Sequence, residues 1–348
     1  MINTNCQILH NSSDRILMGH GGGGRLTRQL IEEVFYPAFG NPLLAQSHDG
    51  CVFDVEEGYK LAVTTDSFVV SPVFFPGGDI GHLAVNGSVN DLACCGARPL
   101  YLTAGFILEE GLPVDTLRKV VASMRRAAGM AGVRIIAGDT KVVERGRCDA
   151  LYINTTGIGL VPPGVRIAPE RAREGDVVIC SGPIGAHGVA VMSERESLGF
   201  STSLRSDTAP LNHLTACLLE GGLKAEVHVM RDPTRGGVAT ALNEIALAAS
   251  VHIALEEDSL PIPEAVTAAA DMLGLDPLYI ANEGILLVIL PGECAAEALG
   301  IMRGRPEGRE AAVIGRVEAG RPSVRIRTPF GGSRVVDMPM GEQLPRIC

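Results

Sequence analysis

Tryptophan is absent from the 348 residues, aromatic residues make up 4%, and positive charge is in deficit, with 30 Lys and Arg against 40 Asp and Glu. The formal net charge of -10 excludes the clustered basic footprint that a nucleic-acid partner requires. No hydrophobic run approaches the length of a membrane span, so no membrane partner is expected. The opening stretch "MINTNCQILHNSSDRILMGH" lacks a charged region followed by an apolar one, so no signal peptide is expected. The nine cysteines are odd in number and scattered without framework spacing, which argues against a disulfide scaffold. They read as the reduced thiols of a cytoplasmic protein, most of them core residues. Cys94 and Cys95 are adjacent rather than in a CxxC zinc pattern, and the eight His show no HExxH or paired-ligand spacing. Capping or packing is therefore expected of His20, His48, His82 and His187. No short internal repeat is visible.

What is present is enough chain for two domains with a sizeable core: 46% of residues are hydrophobic and 42 are Gly. "GHGGGGRLTRQLIEEVF" is a glycine run followed by helical spacing. "YKLAVTTDSFVV" alternates and is rich in β-branched residues, so it predicts a strand ending near Asp66. "GDIGHLAVNGSVNDLACCGARP" predicts a helix with small residues on one side, stopped by Gly96 and Pro99. A strand over "PLYLTAGFIL", an amphipathic helix over "VDTLRKVVASMRRAAGMAGV" and strands over "RIIAGDTKVV" and "LYINTTGIGLV" follow. This is a strand-rich α+β pattern rather than a βαβ ladder. After the Pro/Gly/Arg-rich bridge "VPPGVRIAPERAREGD" the alternation restarts, which places a boundary near residue 165. The expected organisation is a glycine-rich arm and helix over 1–40, one domain over 41–164, a second over 165–336 and a polar tail over 337–348.

Several acids stand at the ends of apolar runs among Gly, Ser, Thr or Asn: Asp49, Asp66, Asp91, Asp139 and Asp232. Taken singly, each reads as a helix cap or turn residue. Five in one setting predict a shared oxygen-rich site of the kind that holds Mg²⁺ against a triphosphate, and Asn90 beside Asp91 strengthens this. Lys141 in "GDTKVV" is a candidate phosphate or substrate contact. Glu283 in "IANEGILLV" precedes a strand, a poor place for a solvated carboxylate. The run Gly21–Gly24 precedes a helix but no GK[ST] follows, so it is not a Walker A loop. It is either a flexible arm or an arm that closes over phosphates. Cys348 is the last residue of the sequence, and a thiol on a mobile segment can carry a covalent group into a site elsewhere.

Together, "MGHGGGG", "TTDSFVVSPVFFPGGDIG", "VNDLACCGARP", "AGDTKVV", "SGPIGAHG", "RDPTRGGVATALNEIA", "ANEG" and "PRIC" resemble the HypE family of hydrogenase maturation factors, within the PurM-like ATP-binding superfamily. The likeness spans nearly the whole chain. "VNDLA" and "DPTRGG" alone resemble only the superfamily; "PRIC" combined with them resembles this family. It implies a two-domain PurM-like fold: an N-terminal mixed-sheet domain that binds ATP and dimerises, a C-terminal α/β sandwich, and a flexible tail. It also implies that Cys348 receives a carbamoyl group from the partner HypF. ATP then dehydrates the S-carboxamide to an S-thiocyanate, and cyanide passes to iron on the HypC–HypD complex for the nickel–iron centre.

By the same resemblance, Asp49, Asp66, Asp91 and Asp232 are expected to hold Mg²⁺ and ATP, with Asn90, Asp139, Thr140 and the arm residues Gly21, Gly22 and Gly23 at the nucleotide. Lys141 and Glu283 are expected to handle the carboxamide, Glu283 as base. One departure is "SHDGCVF", which has His48–Asp49 where the superfamily commonly has paired acids. An alternative is another PurM-like enzyme, a selenophosphate synthetase or small-molecule kinase. Selenophosphate synthetases carry a reactive Cys or selenocysteine near a Lys in a glycine-rich stretch, and "GHGGGGRL" has neither. A non-catalytic scaffold that only presents its tail is the remaining alternative, and it has no use for the acid set.

Overall fold

The computed structural model describes residues 24–35, 50–55, 60–195, 204–220, 222–341, 344 and 346–348. The expected arm glycines Gly21, Gly22 and Gly23, and Asp49, lie outside the described residues.

Helix α1 (Arg25–Leu30) runs into a π-helical turn at Ile31–Phe35. Next come β1 (Cys51–Asp54), β2 (Lys60–Phe68), the hairpin of β3 (Phe74–Phe75) and β4 (Gly78–Asp79), and α2 (Ile80–Cys94). They are followed by β5 (Arg98–Glu109), α3 (Val114–Ala131), β6 (Arg134–Val143) and β7 (Leu151–Val161). One sheet has the order β1-β2-β7-β5-β6, antiparallel except for the β5/β6 pair. Along β7, Leu151, Ile153, Thr155, Gly157, Gly159 and Val161 are buried while the residues between them are not, the period-2 pattern of a sheet covered on one face. α2 and α3 provide the cover. α3 buries Val120, Ser123, Met124, Ala127, Ala128 and Ala131, one helical stripe, and ends at Gly132 in the left-handed region (φ 72°).

The second half contains β8 (Asp176–Cys180), α4 (Ala186–Arg195), α5 (Asn212–Glu220), β9 (Val229–Arg231), α6 (Gly237–Ala249), β10 (His252–Glu256) and α7 (Glu264–Leu273). β11 (Leu287–Pro291), α8 (Ala295–Arg303), β12 (Ala312–Glu318), β13 (Ser323–Arg327) and β14 (Ser333–Val335) complete it. Its seven-stranded sheet has the order β14-β13-β10-β12-β8-β11-β9. α5 and α7 are absent from the sequence expectation, although Leu214, Leu218 and Leu219 already give α5 an apolar stripe. Among the described residues no helix is long and apolar enough to cross a membrane.

α2 joins the halves. Thirteen of its fifteen residues are buried. Its first turns, with Leu83, Val85 and Val89, pack beside Leu102 and Met124 in a core that also takes Val189, Val266 and Ile280 from the second half. Its last turn, with Leu92 and Cys94, packs against Leu211, Leu214 and Leu218 from the second half. A further core, with Leu242, Ile253 and Ile289, belongs to the second half alone.

Asp79 starts this buried helix, accepting from the backbone N–H of Gly81 (2.7 Å) and His82 (3.2 Å) and from the Ser123 hydroxyl. Burial pushes the Asp79 carboxyl up, but bonds from His82 and Ser123 outweigh it and hold the group below its ordinary value. A depressed carboxylate stabilises the fold above its unfolded pKa, and that stability is lost as pH falls. Asp79→Ala is therefore expected to cost about 1–2 kcal/mol in urea unfolding at pH 7. The gap to the parent should narrow as the pH drops below about 4.

Candidate active site

The site forms where β2, α2 and two loops of the second half converge. The period of β2 places Thr64, Asp66 and Phe68 on the face under α2. Gly87 and Asp91, one turn apart on α2, face the same spot. A Cβ on Gly87 would stand 2.8 Å from the Phe68 ring and 3.6 Å from an Asp66 carboxylate oxygen, so glycine allows the close approach. The Thr64 hydroxyl donates to Asp91 Oδ2 at 2.6 Å. From the second half, the turn after β9 brings Asp232, 5% exposed, to the Cys94 thiol, whose Sγ is 3.8 Å from Asp232 Oδ1. In the same turn Arg235 lies 3.9 Å from Asp66.

Glu283 enters on a bend ahead of β11 and is 3% exposed. Its neighbours pin the bend. Asn282 accepts from Gly185 N (2.6 Å) and donates to Pro233 O (2.9 Å). Asp207 Oδ2 accepts from the N–H of both Glu283 and Gly284 at 3.1 Å. Burial pushes the Glu283 carboxyl well above the ordinary carboxylate range, and the nearby charges of Asp232, Asp207 and Asp66 push it further, with Arg235 opposing. Burial also raises Asp207, to about 6, against the pull of its backbone bonds.

Cys348 closes the site. It lines the same small cavity, about 30 Å³, as Asp66, Asp91, Asp232, Arg235 and Glu283. That volume holds little more than a water or two, so in this structure the tail nearly fills the cleft. The described tail residues are seated rather than free: Leu344 and Ile347 are 7% and 3% exposed and join a core shared by both halves. A far larger cavity, about 820 Å³, opens between β5, the end of α3 and α5, beside Arg98, Tyr101 and Lys224. It contains none of the expected site residues.

Among the described residues, four of those expected at the site do not line the small cavity beside Cys348. Asn90 is fully buried with its amide engaged by the backbone: it donates to Ala209 O (3.1 Å) and Glu283 O (3.3 Å) and accepts from Leu211 N (2.8 Å). These bonds tie α2 to the second half. Asp139, Thr140 and Lys141 lie on the exposed edge strand β6, where Lys141 pairs with Asp139 at 2.8 Å. Ser67, Asn154, Gly105 and Asp139 share one cross-strand line. Three strand spacings, about 14 Å, therefore separate Asp139 from the end of β2. Within one chain these three residues are outside the cleft.

Sequence reasoning missed Thr64, Asp207 and Arg235. Arg235 lay inside the quoted "RDPTRGG". Asp207 had no local signal, because its role depends on a bend 76 residues away. Among the described residues no three His, Cys, Asp or Glu stand close enough to cage a metal. Yet Asp66 and Asp232 crowd Glu283 with negative charge, and the donors are all oxygens. That fits a cation which keeps several waters and takes one or two carboxylates.

With the geometry established, the comparisons decide the family. The chain matches the family models "AIR synthase related protein, N-terminal domain" over residues 47–161 and "AIR synthase related protein, C-terminal domain" over 173–327. It is 53% identical over 341 residues to the carbamoyl dehydratase HypE of Cupriavidus necator, covering 98% of this chain and 97% of that protein. The chain belongs to the HypE family. A crystal structure of a HypE–HypF complex superposes on this HypE-family fold with a TM-score of 0.85 at 49% identity, covering 89% of this chain and 99% of that one. A HypE crystallised in complex with ATP superposes with a TM-score of 0.80 at 47% identity, covering 96% and 100%.

A raised carboxyl is a stability cost once ionised, and the cost grows as pH rises past the unfolded value. Glu283→Gln removes it. Relative to the parent, the variant is expected to gain stability as pH rises above the ordinary carboxylate range, with the gap widening until the buried carboxyl itself ionises. Thermal unfolding followed across pH checks this; a gap that shrinks with rising pH would contradict the assigned environment.

Proposed function

We propose that the chain is an ATP-dependent carbamoyl dehydratase that converts an S-carbamoyl group on Cys348 into an S-cyano group, the source of cyanide for a nickel–iron hydrogenase centre. The observation that carries this reading is that Cys348 shares one cavity with Asp66, Asp91, Asp232 and Glu283. A scaffold has no need of such a set, and neither a kinase nor a selenophosphate synthetase needs a thiol on a seated tail.

An amide oxygen is a poor leaving group. When it attacks the γ-phosphorus of ATP, ADP departs and the oxygen becomes part of a phosphate ester, which leaves readily. Removal of the N–H protons and rupture of the C–O bond then give the nitrile. Thiocarbamate and ATP become thiocyanate, ADP and phosphate, with the lost oxygen ending in phosphate. Glu283 is the base, a buried carboxyl that lines the cavity with Cys348 and takes a proton from nitrogen in its ionised form. One or two of Asp66, Asp91 and Asp232 would hold Mg²⁺ directly and the rest through its waters, with Asp49 a further candidate, and the ion would neutralise triphosphate charge.

The same reading has HypF as carbamoyl donor and HypC–HypD as cyanide acceptor in the cytoplasm, with domains over 41–164 and 165–336. It also makes the protein a homodimer. Ile135, Ile136 and Val142 on edge strand β6 are 40%, 56% and 67% exposed, an apolar edge of the kind proteins cover. With a second copy on that edge, Asp139, Thr140 and Lys141 would lie at the interface, and we infer that they serve the partner's cleft.

Intact mass after incubation with the carbamoyl donor and then ATP tests the reaction: one carbamoyl group gained, then one water lost. Cys348→Ala should bind ATP and do neither; an unmodified parent chain would overturn the reading. Asp91→Ala or Asp232→Ala should lower turnover on the order of a hundredfold or more, measured by ADP release. Lys141→Ala and Glu283→Gln should each be inactive alone. Mixed, they should recover roughly a quarter of parental turnover, one competent site in the half of dimers that are mixed. No recovery would place Lys141 outside catalysis.

A further inference from the structure

Each of the last three carbonyls meets a donor. Arg346 O accepts from Ser71 N at 3.1 Å and Arg195 Nη2 at 2.5 Å. Ile347 O accepts from His187 Nε2 at 2.6 Å, and Cys348 O from Val69 N at 3.2 Å. Alternate backbone bonds to Val69 and Ser71 extend the line of β2 in the manner of an added strand. Arg195 also donates to Ser71 O at 2.8 Å, so its guanidinium bridges strand and tail.

The His187 ring is fully buried, with its edge against Phe75 at a centroid distance of 5.5 Å. A carbonyl can only accept, so Nε2 carries the proton and Nδ1 accepts from the Ser206 hydroxyl at 2.8 Å. Ser206 Oγ in turn accepts from Thr208 N at 3.1 Å. Burial holds the ring neutral, down to about 4, which keeps this tautomer throughout the neutral range.

We propose that His187 and Arg195 are positioning residues of the carbamoyl dehydration: they clamp the main chain of the tail and so set how deep the Cys348 sulfur sits in the cleft. The proposal rests on the dehydratase reading above. Because both side chains hold carbonyls, the clamp acts on the main chain whether the sulfur carries a thiol proton, a carbamoyl or a cyano group. It sets the fraction of tail that is docked, and the cleft acids handle the chemistry. Weakening it should slow the step done inside and speed any step that needs the sulfur outside.

The test uses Arg195→Met, which keeps the apolar stem and removes both donors, and His187→Leu. Iodoacetamide labelling of Cys348, read by mass spectrometry of its peptide without ATP or partner, should quicken about tenfold in each variant. Dehydration of the pre-carbamoylated chain should slow about tenfold in kcat with the KM for ATP unchanged. His187→Gln, whose amide can donate to Ile347 O, should recover most of both. Parental labelling rates in Arg195→Met and His187→Leu would overturn the clamp. Should His187→Leu fail to fold, Arg195→Met, at a half-buried position, decides alone. Labelling is independent of turnover, so a parent chain that never dehydrates sinks the dehydratase reading while the labelling still judges the clamp.

Discussion

A helix with no polar side cannot face water, and α2 is such a helix: "IGHLAVNGSVNDLAC" exposes almost nothing. It has to be enclosed by apolar surface all round, and neither half of the chain supplies enough of it alone. Closing both halves on it brings the β2 acid, the α2 acid and the two loop acids of the second half within one cleft. Asn90 reinforces the closure by donating across to the loops that carry Ala209 and Glu283. The site is thus a by-product of burying one helix, and small residues such as Gly87 let the strand come near enough for Asp66 to take part.

That closure carries an electrostatic cost. Glu283 and Asp207 are buried together near Asp66 and Asp232, and only Arg235 offers a neighbouring positive charge among the influences on Glu283. The backbone network around Asn282, Asp207 and Gly284 holds the acids in place against their repulsion. A protein that only needed to fold would gain from replacing these groups by neutral ones. Their presence fits a site that takes a polyphosphate with its cation and needs a strong base once the charge is balanced.

The tail solves a different problem. Its sulfur has to be seated firmly for chemistry and yet be presented to other proteins in the proposed cycle. Main-chain recognition by Val69, Ser71, His187 and Arg195 suits this, because it is blind to the group on sulfur. Leu344 and Ile347 add apolar anchoring in the core shared by the two halves, so the docked tail is part of the fold.

Much of this was legible in the residues alone. Alternation in "KLAVTTDSF" and "LYINTTGIGLV", the stripe of α3 and the punctuation by Gly and Pro specify their elements locally, because side-chain period and backbone freedom are local properties. Asp66, Asp91, Asp232, Glu283 and Cys348 stood out as acids and a thiol in unusual settings. Tertiary structure alone decided their company. It gave the Asn90 amide three backbone partners in the second half. It put Lys141 on an open sheet edge about 14 Å from β2. It added Asp207, whose carboxylate caps a bend far away in sequence, and it turned His187 from a packing residue into a donor to the tail. Each of these rests on contacts between segments distant in sequence, which the order of residues does not encode until burial of α2 draws the segments together.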